Sequence, residues 1–308
     1  MININDFFTK ITPIILIFIL GVFLRKIRIF GKENAELLLK LVFYVTLPAL
    51  TFISVSKIQL TPNLFFLPLI AVAVVFIVYG ISFMIGKKMN LLPPTLGTFL
   101  VGSMIMNTGF SYPFLEAAYG KTGLATSLIF DLGNSFLIFT FIYFIAVKYG
   151  SNSGKKIQLK KFLLLPPIWG LVFGITFNLL KIPLPMFVNN FLNQIGMPTA
   201  LLIMLSLGIY FSPKICNIRK ICLVIFLRMG IGLILGILFT LILKLDGLNA
   251  VIVIICSAAP VGYNTLVFSS MEKLDKDFAA SLVSFSILIG IFWLPALILL
   301  LSFFFTIK

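Results

Sequence analysis

The sequence contains no histidine, only three cysteines and only nine acidic residues among its 308 positions. The absence of histidine excludes histidine-based catalysis, haem ligation through histidine and the usual zinc sites. Cys216, Cys222 and Cys256 have no metal-binding spacing, and we interpret them as small apolar side chains. No nucleophile and base are placed together, so we do not expect an enzyme.

Charge is scarce throughout the chain. Charged residues make up 11% of the sequence, whereas a soluble domain carries roughly a quarter. Hydrophobic residues make up 60%, and apolar runs recur from end to end. Runs of about 18 residues or more are long enough to cross the ~30 Å hydrocarbon core of a membrane. Because these runs are continuous rather than alternating, they predict an all-α polytopic membrane protein rather than a β-barrel.

We predict ten transmembrane spans joined by short connections, five on each side of a central connection. The central connection, residues 148–161, is polar and basic and separates a first repeat, 1–147, from a second, 162–308. The predicted spans are 12–29, 36–56, 63–85, 94–118, 123–147, 162–180, 187–210, 219–243, 248–271 and 278–305.

The basic residues predict the orientation of these spans. The net charge of +15 would suggest nucleic acid in a soluble protein, but here the basic residues lie almost entirely in short loops. Of 24 lysines and arginines, sixteen accompany the loops after odd-numbered spans, six lie on the opposite side and two lie within spans. The positive-inside rule then places both termini outside and residues 148–161 in the cytoplasm. We expect a multi-pass protein of the cell membrane that contacts lipid and no nucleic acid.

The two halves resemble each other at an offset of about 150 residues. "TLPALTFIS" (46–54) corresponds to "GMPTALLIMLS" (196–206), and "MNTGFSY" (106–112) corresponds to "APVGYNT" (259–265). Because each half has an odd number of spans, the second enters the membrane from the opposite side. Inverted repeats with interrupted helices at matching positions are typical of secondary transporters, whose site lies near the bilayer midplane.

Helix-breaking residues mark the same place in both halves. In span nine, Pro260 lacks an N–H group and Gly262 permits backbone angles that other residues avoid. In span four, Asn107, Gly109 and Pro113 mark a similar break. The freed backbone groups cannot face lipid, so they must be paired or line a cavity. Half-helix N-termini carry partial positive charge, so we predict an anion site that includes Gly109, Pro260 and Gly262.

Polar side chains within the spans are the candidate ligands, because they are costly at membrane depth. Asn107 and Asn264 are predicted to bind the substrate, the alternative being hydrogen bonds between helices. Asp131 and Asn134 lie three residues apart on one face of span five. We expect Asn134 to bind substrate and Asp131 to carry a coupling proton or sodium ion, with a structural contact left open for Asp131. Arg228 in span eight either reaches the cytoplasmic surface or neutralises an anion.

Small residues in other spans predict packing. The glycine patterns "WGLVFG" (169–174) and "MGIGLILG" (229–236) favour close helix contacts, in a scaffold or a homodimer surface. In span ten we interpret the serines as bonding to their own helix. They are Ser281, Ser284 and Ser286.

At these residues the sequence resembles the auxin efflux carrier family, which includes the plant PIN carriers and prokaryotic malate or malonate permeases. The resemblance covers the whole chain, and its short central connection is similar to that of the prokaryotic members. The plant carriers have a proline where this sequence has Met106, so auxin specificity does not follow. The matching stretches are "FYVTLPAL" (43–50), "MNTGFSYPFLEAAYG" (106–120) and "AAPVGYNTLVFSS" (258–270).

The resemblance implies ten helices in two inverted five-helix repeats, with helices four and nine crossing as broken helices, as in sodium/proton antiporters and bile-acid symporters. Helices one, two, six and seven would form a scaffold, and the other six a transport domain. It implies alternating-access transport of a small organic anion, auxin-like or a dicarboxylate, without a cofactor other than a coupling ion, and it suggests a homodimer. The alternatives are a sodium-coupled symporter of the bile-acid carrier type and, least favoured, a non-transporting membrane sensor.

Overall fold

The computed structural model describes residues 4–150, 166–213 and 217–305. The start of predicted span six, Cys216 and most of the central connection 148–161 lie outside the described residues. Within the described ranges every regular element is helical, and the only strand-like pairing is one isolated bridge between Met106 and Val261. The prediction of an all-helical membrane protein is confirmed at this level.

Fifteen α-helices are present in the described ranges. They are α1 (Ile4–Lys26), α2 (Lys32–Leu41), α3 (Leu47–Val55), α4 (Phe66–Lys88), α5 (Pro93–Met104), α6 (Thr108–Leu137), α7 (Tyr143–Tyr149), α8 (Pro166–Leu179), α9 (Met186–Gly196), α10 (Thr199–Tyr210), α11 (Ile218–Ile225), α12 (Ile231–Ile242), α13 (Gly247–Ser257), α14 (Asn264–Met271) and α15 (Lys276–Phe304). Wider π-helical turns join consecutive helices at three places, which are Val42–Thr46, Ile138–Ile142 and Phe226–Gly230.

Local sequence explains where several helices begin. Two prolines occupy the first turn of α5, where the missing N–H groups have no intrahelical partner to lose. Asp275 caps α15, and its carboxylate accepts a hydrogen bond from the backbone N–H of Phe278 at 3.0 Å. α1 begins eight residues before the predicted span 12–29, because the Asp6–Lys10 ion pair (2.8 Å) supports a polar first part of the helix.

Seven continuous helical stretches in the described ranges are long and apolar enough to cross a membrane. They are Asn5–Lys26, Lys32–Val55, Pro62–Lys88, Thr108–Tyr149, Met186–Tyr210, Ile218–Ile242 and Lys276–Phe304. Two shorter apolar helices are α8 and α13. The number of ten spans, their inverted arrangement and their orientation stay predictions.

The stretch Thr108–Tyr149 is too long for one crossing. A straight helix of its 42 residues would measure roughly 63 Å, about twice the hydrocarbon core. Gly120 interrupts it with φ 63° and ψ −159°, a left-handed conformation that favours glycine. The interruption falls between the predicted spans 94–118 and 123–147.

The described residues group into two compact units. Unit one lies within Met1–Leu64, Tyr112–Ile129 and Leu163–Phe211, and unit two within Phe65–Ser111, Phe130–Phe162 and Ser212–Lys308. Each unit therefore takes segments from both halves of the sequence.

In unit one, α1 and α10 approach each other closely through glycine. A Cβ added at Gly208 would lie 2.2 Å from the carbonyl oxygen of Phe18, and one added at Gly21 would lie 2.4 Å from that of Leu205. Both distances are below any real van der Waals contact, so the two helices can pack this way only without side chains at these positions. Such small-residue contacts are the usual basis of helix association in membranes.

Arg25 closes one end of the same contact. Its Nη1 group donates to the carbonyl oxygens of Ile209, Tyr210 and Phe211 at 3.2, 3.2 and 2.6 Å. These carbonyls lie at the C-terminus of α10, which carries partial negative charge. The arginine of α1 therefore caps a neighbouring helix, and the Tyr210 hydroxyl extends the network to Glu36 at 2.7 Å.

A glycine pair tests the close helix contact. Gly208→Ala should lower the free energy of unfolding by about 1–3 kcal/mol, because backbone atoms of α1 must move. Gly80→Ala is the matched control, since nothing lies within 4 Å of its added Cβ, and its better helix propensity should leave stability unchanged or slightly raised. Thermal unfolding of the purified protein in detergent measures both. Equal effects of the two substitutions would contradict the packing account.

Candidate functional site

Two helices of unit two are interrupted at the positions that the sequence marks. The first break, residues 105–107, separates α5 from α6, and Ile105 has extended backbone angles of φ −74° and ψ 119°. The second break, residues 258–263, separates α13 from α14. Pro113 lies inside α6, so the expectation that it marks the first break is wrong. Each interrupted helix therefore consists of two half-helices.

The two breaks pair with each other as a short antiparallel ladder. Met106 and Val261 face each other, and the residues beside them make the hydrogen bonds. The N–H group of Asn107 donates to the carbonyl oxygen of Pro260 at 2.9 Å, and that of Gly262 donates to Ile105 at 2.9 Å. The breaks thus satisfy each other's freed backbone groups, which lipid could not do. We call residues 105–107 and 258–263 the paired breaks.

Side chains from two further helices complete the backbone bonding. The backbone N–H of Met106 donates to Oδ1 of Asn134 at 3.3 Å, and Nδ2 of Asn134 donates to the Met106 carbonyl at 3.1 Å. The N–H of Val261 donates to Oγ of Ser286 at 3.2 Å. Asn134 and Ser286 follow their breaks by 28 and 25 residues, so each half supplies a polar side chain from its fifth predicted span.

The role of Ser286 was missed in the sequence. Its hydroxyl does donate to its own helix, at the carbonyl of Val283 (2.9 Å), as predicted for the serines of span ten. It also accepts from Val261, which only the tertiary structure shows. The signal that could have found it is its place in the repeat, equivalent to that of Asn134.

Asn107 uses both atoms of its side-chain amide within the paired breaks. Its Oδ1 accepts from the N–H of Phe110 at 3.2 Å and so caps α6, and its Nδ2 donates to the carbonyl of Val261 at 3.3 Å. The side chain is buried. This is the helix-to-helix alternative that the sequence left open.

Asn264 differs from Asn107 in its surroundings. It is the first residue of α14 and is half-buried. Its amide has no hydrogen bond to any residue in the part of the chain that the structure describes. It therefore offers a donor and an acceptor at a half-helix N-terminus beside the paired breaks.

Asp131 lies against the N-terminus of α6. Its carboxylate accepts hydrogen bonds from Thr108 (2.5 Å), Asn134 (2.7 Å) and Ser135 (2.9 Å). Thr108 is the first residue of α6, where partial positive charge favours a carboxylate. Because Asn134 also holds Met106, Asp131 is one hydrogen bond removed from the first break. The structure thus brings Asp131, Asn134 and Asn107 into one network.

The glycines near the breaks have different surroundings. A Cβ added at Gly262 would lie 2.1 Å from Cγ2 and 3.0 Å from Cβ of Ile105. Gly262 does not have a positive φ, so the expected reason for this glycine, unusual backbone angles, is wrong and the reason is space. Around Gly109 the nearest atom to an added Cβ is Oδ1 of Asn107, at 4.0 Å, so Gly109 faces open space.

Arg228 is the largest fully buried side chain of the described residues. It lies in the π-helical turn Phe226–Gly230 and belongs to unit two. Its Nη1 group donates to the carbonyls of Ser103 (3.4 Å) and Met104 (3.2 Å), and its Nη2 group donates to that of Ser257. The guanidinium therefore points at the paired breaks, and the alternative that it reaches the cytoplasmic surface is wrong.

Comparison with known proteins gives a consistent result. The family described as "Membrane transport protein" matches residues 6–298 of this chain. An uncharacterized transporter of Methanocaldococcus jannaschii is 28% identical over 309 residues, covering 91% of this chain and 95% of the relative. An uncharacterized transporter of Methanothermobacter thermautotrophicus is 24% identical over 290 residues, covering 92% and 95%.

The two glycines beside the breaks provide a test of the geometry. Gly262→Ala should destabilise the protein by about 1–3 kcal/mol, because its Cβ overlaps Ile105 at the ladder itself. Gly109→Ala should fold with wild-type stability, since its added methyl group meets no atom closer than 4.0 Å. Thermal unfolding in detergent compares them. A Gly109→Ala variant as unstable as Gly262→Ala would show that the open space is absent.

Proposed function

Because the chain belongs to the membrane transport protein family, the auxin efflux carrier family that its motifs resemble, we propose that it is a secondary transporter that moves a small organic anion by alternating access. The chain is a multi-pass membrane protein of a transporter family. The proposal extends this to the substrate class, an auxin-like monocarboxylate or a dicarboxylate, and to a substrate site at the paired breaks.

The observation that supports an anion is the position of two half-helix N-termini. α6 begins two residues after Met106, and α14 begins three residues after Val261, the two residues that face each other. Helix N-termini carry roughly half a positive charge each and present backbone N–H groups. Interrupted helices of transporters bind carboxylates in this way.

Among the predicted ligands we assign substrate contact to Asn264 and Gly109. Asn264 has a side-chain amide that no described residue uses, and Gly109 faces open space. The other predicted residues of the site build its frame, since their polar atoms or close contacts are occupied by the ladder. They are Asn107, Asn134, Pro260 and Gly262.

Asp131 is the proposed carrier of a coupling proton. Its carboxylate shares Asn134 with the first break, so gaining or losing a proton changes the hydrogen bonds that hold Met106. The second candidate is sodium coupling, which the oxygen-rich surroundings favour. The Asp131 carboxylate and the hydroxyls of Thr108 and Ser135 lie within 2.9 Å of one another in pairs, and hard cations take oxygen ligands.

The two asparagines should separate when each is substituted. Asn264→Ala should raise the KM for the transported anion about tenfold or more, because one hydrogen bond to a charged group is lost, with thermal stability unchanged. Asn107→Ala should instead lower stability by about 1–2 kcal/mol, since it removes a helix cap. Uptake of radiolabelled indole acetate, malate and malonate into proteoliposomes, with parallel thermal unfolding, measures both. A wild-type KM in Asn264→Ala would remove Asn264 from the site.

The coupling ion is tested with the same vesicles. Wild-type uptake should be driven by an inward proton gradient without sodium, and Asp131→Asn should lose this drive while retaining exchange of internal for external substrate. Asp246→Asn, an exposed aspartate at the start of α13, is the matched control and should behave as wild type. Uptake that requires a sodium gradient and ignores the pH gradient would support the sodium-coupled alternative.

A further inference from the structure

Arg228 is a buried charge without a carboxylate beside it. Its side chain is 0% exposed. Within the described ranges the only ion pair at 4.0 Å or less joins Lys10 and Asp6, and Arg228 has no further partner. Its Nε–H group has no acceptor. Burying an unpaired charge is strongly unfavourable, so another feature of the structure must compensate it.

The compensation comes from two helix C-termini. Ser103 and Met104 are the last residues of α5, and Ser257 is the last residue of α13. C-terminal carbonyls lack intrahelical partners, and each helix end carries about half a negative charge. Two such ends sum to about one negative charge, which the single guanidinium balances.

The surrounding sequence leaves room for this arrangement. A Cβ added at Gly232 would lie 2.0 Å from the carbonyl oxygen of Ser257 and 2.6 Å from Nη2 of Arg228. Only glycine therefore lets α12 approach the end of α13 and the guanidinium together. Arg228 itself lies in a π-helical turn, a local widening that often occurs at functional sites.

We propose that Arg228 is a positioning residue, whose charge holds the C-terminal ends of α5 and α13 together and keeps Met106 paired with Val261. Without the positive charge, two negative helix ends face each other in a medium of low dielectric and repel. The paired breaks then separate. The inference rests on the proposed function only in assigning the paired breaks to transport.

A disulfide reporter measures the pairing without any substrate. Met106 and Val261 form the non-hydrogen-bonded type of antiparallel pair, with the bonds made by their neighbours. Such pairs have Cα atoms about 4.5 Å apart, within the range that a disulfide bridges. Met106→Cys with Val261→Cys, in a background with the three native cysteines replaced, should therefore cross-link on oxidation with copper phenanthroline in membranes. Mass spectrometry of the linked peptides gives the yield.

A second reporter shows whether unit two is folded. Oγ1 of Thr98 on α5 and Oγ of Ser269 on α14 lie 3.3 Å apart, away from the helix ends that Arg228 contacts. Thr98→Cys with Ser269→Cys should cross-link in every variant that keeps the unit intact.

Three substitutions separate charge from capping. Arg228→Gln keeps a donor but removes the charge, and should reduce the 106–261 cross-link by about tenfold, the effect of losing a charged hydrogen-bond partner. Arg228→Lys keeps the charge and should retain at least about half of the yield, because an ammonium still balances the helix ends. Arg25→Gln is the matched control, since Arg25 also donates to three C-terminal carbonyls but in unit one, and should leave the yield unchanged.

Each outcome decides the proposal. Loss of the 106–261 link in Arg228→Gln, with the 98–269 link retained and rescue by lysine, supports it. An unchanged 106–261 link overturns it, and so does loss of both links, because Arg228 would then act on the whole unit. Failure of the wild type to move any tested anion would refute the proposed transport function, while the cross-linking result would still decide on Arg228.

Discussion

The pairing of the two breaks is the interaction on which the rest of unit two depends. Two membrane helices are each interrupted, and every freed N–H or C=O group at an interruption costs several kcal/mol if it faces lipid. The ladder at Met106 and Val261 satisfies four of these groups at 2.9 Å. Asn134 and Ser286 satisfy others from neighbouring helices. Irregular backbone at membrane depth is stable here because it is paired inside the protein.

The same pairing brings four half-helix ends to one place, and their partial charges need compensation. Arg228 meets the C-terminal ends of α5 and α13. Asp131 meets the N-terminal end of α6. The N-terminus of α14, with the unused amide of Asn264, is left for a ligand. This unequal treatment of the four ends underlies the proposed anion site and separates the roles of Asn264 and Asn107.

Much of this follows from local sequence, and the exceptions have physical causes. Composition predicted the all-helical membrane class, and the stretches around Asn107 and Pro260 predicted the family and both interruptions. Pro113 was assigned to the break but lies inside α6, where neighbouring groups tolerate a proline. Gly262 was expected for its backbone freedom, yet the contact with Ile105 is what excludes a side chain.

The sequence by itself determined the class of the protein, its family and the positions of the breaks, because hydrophobicity, helix-breaking residues and motifs act over a few neighbouring residues. Only the tertiary structure decided which groups satisfy those breaks. Arg228 bonds to a carbonyl 125 residues away, and Asn107 to one 154 residues away. Contacts over such separations depend on how helices pack, and no local pattern encodes which buried polar group a distant helix end will meet.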